Sequence, residues 1–402
     1  MRTCVLISTV CLLAASALAG WIPLNSGTTT DLEDVCFPVD AVTGYAVGGG
    51  GLILKTTDGG ATWDSLPGSH PGWQMAVHFP VDAVTGFAVA SGGRIIKTTD
   101  GGATWEKESA GVALDLRSVC FPVDAETGYV CGGEPGEGVI LKTTDGGGAW
   151  VKQSANTRQP IEAVCFPVDA QTGYAAGWDG VLLKTTNGGA AWAPLSPGVA
   201  NTFSGICFPD DALTGYVSAS AGLVLETTDG GTTWVPKSTG SGDYLASVHF
   251  PTSDTGYVAG ASASIFRTTN RGDIWVLQAA DTEGFLTSVR FPVDAQTGYA
   301  VGRGGTILKT TDGGAAVDEP ANGERGTRNG LSTAVRGVLF LAEAASPKPQ
   351  AASLMDATGR KVMDLLPGAN DVRALAPGVY FVRGEGRGTG DAGRIRKVVL
   401  TR

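Results

Sequence analysis

The dipeptide Phe-Pro recurs at Phe37, Phe79, Phe121, Phe166, Phe208, Phe250 and Phe291, with spacings of 42, 42, 45, 42, 42 and 41 residues. Seven copies at this period confine the chain to folds in which one small unit packs against copies of itself, because such a unit cannot bury its apolar face alone. Each copy continues through a Gly-Tyr or Gly-Phe pair, a Gly/Ser-rich turn, an apolar strand and an Asp-Gly-Gly-type turn ending in tryptophan. In the first copy these are Gly44-Tyr45, Gly48 to Gly51, Leu52-Ile53-Leu54 and Thr56-Thr57-Asp58-Gly59-Gly60-Ala61-Thr62-Trp63.

A period near 42 fits either the four strands of a propeller blade or a pair of long helices. Composition decides between them. Sixty glycines in 402 residues, with short apolar runs punctuated by Gly, Asp, Thr and Pro, describe strands and tight turns. The fold class is therefore all-β, a seven-bladed β-propeller followed by a small β-sandwich domain. In the first copy the strands fall near 34–37, 44–48, 51–56 and 62–66, and the third copy carries three extra residues around Glu134-Pro135-Gly136-Glu137, between its second and third strands.

A ring of blades has to close, or its terminal strands stay open to pairing with other chains. In the seventh copy Val317 stands where tryptophan is expected, and Trp21 lies 42 residues before Trp63, in register with the missing one. Residues 20–25 are thus expected to form the outer strand of the last blade. Ahead of them, Arg2, an apolar stretch from Cys4 to Ala15 and Ala17-Leu18-Ala19 read as a signal peptide over 1–19, cleaved before Gly20. The competing reading is an uncleaved anchor, for which the stretch is short. The domain plan is then signal peptide 1–19, propeller 20–317, Gly/Asn/Glu/Arg-rich linker 318–330 and β-sandwich 331–402, in a chain read as a monomer, secreted through the periplasm to the cell surface or medium.

The formal charge of −10 argues against a sequence-independent hold on nucleic acid, which depends on cations neutralising phosphates. Residues 346–402 carry ten Lys/Arg against five Asp/Glu, a balance of +5 that leaves −15 for the rest. The tail is a differently composed module.

The Asp-Gly-Gly turn is an Asp-box. Its carboxylate can accept turn N–H groups, its glycines supply positive φ, and its tryptophan packs beneath the hairpin. Calcium loops need a different spacing of acids. A basic slot (Lys55, Lys97, Lys142, Lys184, Arg267 and Lys309, with Glu226 the exception) accompanies a recurring acid at Asp40, Asp82, Asp124, Asp169, Asp211, Asp254 and Asp294, and reads as surface or inter-blade ion pairs. Cys36, Cys120, Cys165 and Cys207 share one slot in four blades and read as buried small hydrophobes, with a Cys120–Cys131 bridge left open. His78 and His249 share that slot too. No zinc spacing and no Gly-x-Ser-x-Gly elbow occurs, so no cofactor, metal or catalytic residue is assigned.

Strand order puts the Asp-boxes on one rim and the second-to-third strand turns, with the inter-blade connections, on the other. The first rim is nearly constant between copies, and the second carries the individual character, so recognition belongs there. Candidate partner-binding residues are Trp73, Arg94, Arg117, Trp178, Asp179, Phe203, Tyr244, Phe285 and Arg303. Aromatics and arginine most often anchor protein interfaces. The alternative is that the loop aromatics cap the core.

The combination Phe-x-x-Asp, Thr-Gly-Tyr-Ala-Val-Gly and Ile-Leu-Lys-Thr-Thr-Asp-Gly-Gly-Ala-Thr-Trp, over residues 20–317, resembles the photosystem II assembly and stability factor family. The resemblance implies a non-enzymatic propeller that holds a protein partner, such as a membrane-protein subunit or a cell-surface polypeptide. Asp-boxes also occur in sialidases, and a sialidase-like glycan-binding protein or glycoside hydrolase is the rival. That class needs an arginine trio, and none of the propeller's arginines sits in the sialidase motif. In the tail, Asp356-Ala357-Thr358-Gly359-Arg360 and Leu375-Ala376-Pro377-Gly378, among short strands at Val335–Leu341, 351–355, 360–362, 378–383 and 396–400, resemble the C-terminal sorting domain of the type IX secretion system. That resemblance implies engagement with secretion machinery. A generic adhesion-like sandwich is the blander reading.

Overall fold

The computed structural model describes residues 20–66, 72–278, 280 and 282–314, together with seven strands of the C-terminal part. The chain divides into two units, Met1–Asp318 and Glu319–Arg402. The signal segment 1–19, the linker 318–330 and His70 lie outside the described residues.

The first unit is a seven-bladed propeller. Blade 1 comprises Leu32–Cys36, Gly44–Gly48, Ile53–Thr56 and Asp64–Ser65, here called strands a to d from the inside outward. Blades 2 to 6 repeat that order within 74–109, 116–153, 161–194, 203–238 and 245–277. Blade 7 has Leu286–Arg290, Gly298–Gly302 and Thr306–Thr310, and its outermost strand is Ile22–Leu24, paired antiparallel with Ile22 opposite Lys309. The N-terminal segment therefore closes the ring as the tryptophan register required. The expected inner strand 34–37 begins two residues earlier, at Leu32, and strands c and d are shorter than expected because residues 49–51 form a tight turn and Trp63 precedes strand d. In blade 3 the extra residues lengthen the b–c hairpin, which ends with Glu134 opposite Glu137.

The core lies between blades. At every junction the aromatic of the Gly-Tyr or Gly-Phe pair stacks on the Phe of the next blade: Tyr45 on Phe79 at 4.0 Å, Phe87 on Phe121 at 4.0 Å, Tyr129 on Phe166 at 3.8 Å, Tyr174 on Phe208 at 4.1 Å, Tyr216 on Phe250 at 3.6 Å, Tyr257 on Phe291 at 3.8 Å, and Tyr299 on Phe37 at 3.9 Å. Within a blade the Asp-box tryptophan meets that Phe edge-on, as Trp63 does Phe37 at 6.2 Å. In blade 7 Trp21 takes this place, 5.8 Å from Phe291. Such pairs contribute about 0.5–1.5 kcal/mol each beyond burial. The glycine before each stacking residue is steric: a Cβ on Gly44 would lie 2.4 Å from the Phe37 ring.

The Asp-box does what its sequence promised. Asp58 Oδ1 accepts from Thr62 N at 2.9 Å and from Thr56 Oγ1 at 2.8 Å, while Gly59 and Gly60 take φ of 71° and 86°. The basic slot does not pair with the recurring acid, which corrects the ion-pair expectation. Asp40 instead caps its own turn, accepting from Val42 N at 2.9 Å and Thr43 N at 2.8 Å. Lys55 reaches over the Tyr45 ring to donate to Gly101 O of the next Asp-box at 2.8 Å, and Lys97, Lys142, Lys184 and Lys309 repeat this contact. A backbone carbonyl at a fixed turn is nearer than the solvated acid. Between blades 5 and 6 both members change together: Glu226 replaces the lysine, Arg271 replaces the first Asp-box glycine, and their side chains approach to 3.9 Å, with Lys237 3.1 Å from Glu226.

The shared cysteine slot lines the central channel, and each of these half-buried side chains packs against an inter-blade core cluster, which agrees with their reading as small hydrophobes. Cys120 lies opposite Tyr129 in the hairpin register and Cys131 opposite Ser118, and both thiols are free. His78 and His249 meet the next blade's carbonyl, at Phe121 O (3.3 Å) and Phe291 O (3.1 Å).

In the second unit the described strands form a five-stranded sheet, with Thr333–Val335 parallel to Ile395–Leu400, and a two-stranded ribbon of Val338–Leu341 with Gly368–Asp371. The run expected as one strand over Val335–Leu341 is two, in different sheets. The strand Gly368–Asp371 was not foreseen.

Two outcomes follow from the ring. Trp21→Ala is expected to lower stability by about 3–5 kcal/mol, as for a buried aromatic elsewhere, and removal of residues 20–30, which takes the strand pairing with it, by at least as much; urea denaturation showing wild-type stability in the truncation would refute closure by this strand. At the blade 5–6 junction, Glu226→Lys is expected to cost about 1–2 kcal/mol and added Arg271→Gly to recover most of it. Additive effects in that double-mutant cycle would show the two positions to be independent.

Candidate functional site

Strand a of every blade carries an irregularity in its pairing with strand b. In blade 1 Leu32 pairs with Gly48 and Asp34 with Val47, so Glu33 is the extra residue, and the same shift occurs in the other six blades. A bulge re-aims the side chain it carries. The seven bulged residues are Glu33, Met75, Arg117, Glu162, Ser204, Ala246 and Thr287, and all of them line a pocket of about 530 Å³ at the channel mouth on the b–c rim. Six residue types occur among these seven, with only Glu repeated, although the next slot but one reads Val or Ile throughout.

Five of the residues singled out from the sequence line that pocket: Arg117, Trp178, Tyr244, Phe285 and Arg303. They form two clusters. In one, the Arg117 guanidinium lies 3.5 Å from Glu162 and 5.9 Å from the centre of the Trp178 ring, and Trp178 Nε1 donates to Glu162. Burial pushes the Glu162 carboxyl up from its ordinary value, against the pull of Arg117 and the Trp178 bond. In the other, Tyr244 and Phe285 stand 6.0 Å apart and the Arg303 guanidinium lies 5.1 Å over Phe285. Burial also raises the Tyr244 hydroxyl.

Trp73 sits beside this pocket, its Nε1 donating to Glu33 Oε1 at 2.7 Å with the ring 42% exposed. Arg94 and Asp179 are outside it. Arg94 donates to Ser91 O at 3.1 Å, and Asp179, at φ 51° in its turn, accepts from Gln159 Nε2 at 2.6 Å. Phe203 is fully buried among Tyr174, Phe208 and Leu225, which removes it from the partner-binding set. It occupies the first slot of strand a, where five of the other blades have Leu or Ile and blade 2 has the buried Gln74, and that register is core. Glu33 and Glu162 were missed. Divergence at one slot of an otherwise constant repeat could have found them, but nothing in sequence shows the bulge that turns that slot into the mouth.

Below the mouth Asp34 ties three blades, with Oδ1 accepting from Ser288 Oγ at 2.7 Å, Arg290 Nη2 at 3.4 Å, and Oδ2 accepting from Val77 N at 3.2 Å. The arginines are thus dispersed: Arg117 and Arg303 line the mouth pocket, while Arg290 is engaged by Asp34 lower in the channel. Among the described residues no three His, Cys, Asp or Glu groups are placed to hold a metal ion.

Arg117→Ala leaves Glu162 withdrawn from water without its cation. The expected cost is about 1–2 kcal/mol near pH 8, discounted from the fully buried case because both groups keep some exposure. A carboxyl with a raised folded-state pKa is penalised above that value and relieved as pH falls, so the cost should shrink at pH 5 and its pH dependence vanish with Glu162→Gln. Urea melts at the two pH values measure this, and a pH-independent cost would sink the pairing.

Residues 190–282, from the end of the blade 4 Asp-box through blades 5 and 6, match the family described as "Photosynthesis system II assembly factor YCF48". Comparison with curated proteins gives no match. Among solved structures, the propeller is similar to "YCF48 bound to D1 peptide" at 18% identity, covering 74% of this chain and 99% of that one with a TM-score of 0.60. It is similar to "YCF48 from Cyanidioschyzon merolae" at 20% identity, covering 73% and 99% with a TM-score of 0.59. "Structure of U3-55K" is similar at 11% identity, covering 73% and 98% with a TM-score of 0.64. What these structures share with the chain is the fold, an all-β seven-bladed propeller, and its fifth and sixth blades carry the sequence pattern of the YCF48 assembly-factor family.

Proposed function

We propose that the protein is a non-catalytic, polypeptide-binding scaffold that resembles the photosystem II assembly factors in the way it holds a partner, and that its mouth pocket is the binding site. The observation that carries this reading is the bulged ring: seven blades spend their recurring residues on each other and present side chains of six kinds at one opening. Aromatic and arginine side chains held in place by stacking and ion pairing are preorganised for an interface, so little side-chain entropy is lost on docking. The partial family match and the solved relative described as bound to a D1 peptide support a polypeptide as the ligand class. Residues 1–19 as a signal peptide and residues 331–402 as a sorting-type domain would deliver this scaffold through the periplasm to the cell surface.

Affinity capture from the producing cells, with the propeller as bait, tests the reading. Wild-type bait is expected to recover a defined polypeptide, and a bait with Trp73, Trp178, Tyr244 and Arg303 all changed to Ala is expected to lose it. Equal recovery by both baits would refute the site, and recovery of glycans alone would favour the sialidase-like class.

A further inference from the structure

We infer that the polypeptide segment entering the mouth presents a basic side chain, lysine or arginine, that pairs with Glu33; this rests on the polypeptide-binding reading above. Four charged side chains line the pocket. Arg117 and Glu162 answer each other, with Trp178 closing the cluster. Glu33 is left with a single neutral donor, Trp73 Nε1, and has no ion pair among the described residues. Asp31 and Asp34 add negative charge nearby, Arg303 offsets part of it from across the seam without forming an ion pair, and the guanidinium of Arg290 is already committed to Asp34. Burial accordingly raises the Glu33 carboxyl above its ordinary value.

A carboxylate withdrawn from water without a cation is an energetic deficit that an incoming cation removes. Arg303 carries the opposite charge at the same mouth, but it is exposed and keeps its hydration, so an acidic ligand would gain less there than a basic one gains at Glu33. An acidic ligand would also face two carboxylates. The connections and turns of this rim add Asp31, Asp115, Asp179, Asp243 and Glu283 against Arg94 and Arg158, which steers cations toward the opening. Met75 and Ala246 supply apolar wall against which the aliphatic stem of lysine or arginine can lie.

The test is selection of a random decapeptide library on the full chain, followed by resynthesis of the best binder with each basic residue changed to norleucine or glutamate. Enriched peptides are expected to share a lysine or arginine at one position, and its replacement by norleucine to weaken binding about tenfold or more, the size of one charge-assisted contact. Glu33→Gln, which keeps an acceptor for Trp73 Nε1, is expected to cause a similar loss for the basic peptide and none for the norleucine version. A basic preference that survives Glu33→Gln would assign it to the general negative charge of the chain and overturn the inference. Enriched peptides without a basic position would overturn it while leaving polypeptide binding intact. No enrichment over the Trp73/Trp178/Tyr244/Arg303 alanine variant would overturn both.

Discussion

The stack between one blade's Tyr or Phe and the next blade's Phe is the contact on which the rest of this structure depends. It is repeated at all seven junctions within a narrow range, and four other recurring features serve it. The preceding glycine leaves room for the ring, the Asp-box tryptophan closes its edge, a tyrosine hydroxyl in five blades reaches the next blade's turn carbonyls, and a lysine in five blades bonds the same turn from above. A single pair contributes little, but each blade is held on both sides, and no blade can leave without opening two seams.

This division of labour explains where specificity can reside. Residues that build seams recur in nearly every blade, and where one changes, as Glu226 does at the blade 5–6 junction, its partner Arg271 changes with it. The bulged residue of strand a is set out of the ladder and into the channel mouth, where in some blades it adds a bond to the next, as Thr287 does to Leu32 O. The ladder itself does not dictate its type, and the seven that occur range from Ala to Arg.

The blade count, the closing strand, the Asp-box bonds and the placing of the Asp-boxes and the b–c turns on opposite rims were legible in the sequence, since each leaves a periodic mark or breaks one. Trp21 is the clearest case, since its register against Trp63 alone implies its place in blade 7. Errors fell where partner choice depends on distance. The lysine slot and the Asp40 slot have opposite charges and recur together, yet the lysine meets a carbonyl of the next blade and the aspartate its own turn. Phe203 looked like a loop aromatic because it follows Thr202, and one residue of register put it in the core. Glu33 was passed over because a bulge leaves no mark of its own in one sequence.

The blades that meet where the ring closes also supply four residues of the pocket, Glu33, Phe285, Thr287 and Arg303. Blade 7 meets blade 1 through polar bonds clustered near the mouth: Thr287 Oγ1 donates to Leu32 O at 2.8 Å, Gly304 N to Asp31 Oδ1 at 2.8 Å, and Ser288 Oγ to Asp34 Oδ1 at 2.7 Å. Glu33 and Arg303 stand on opposite sides of that seam. Their separation is set by this seam, where Leu24 of the closing strand packs against the cluster of Phe37, Trp63 and Tyr299, while Trp21 docks against Phe291 and Tyr257 at the seam with blade 6. On the proposed reading, a segment touching both Glu33 and Arg303 would bind only the closed ring and would stabilise it by mass action, so that docking of the N-terminal strand and binding at the mouth are coupled.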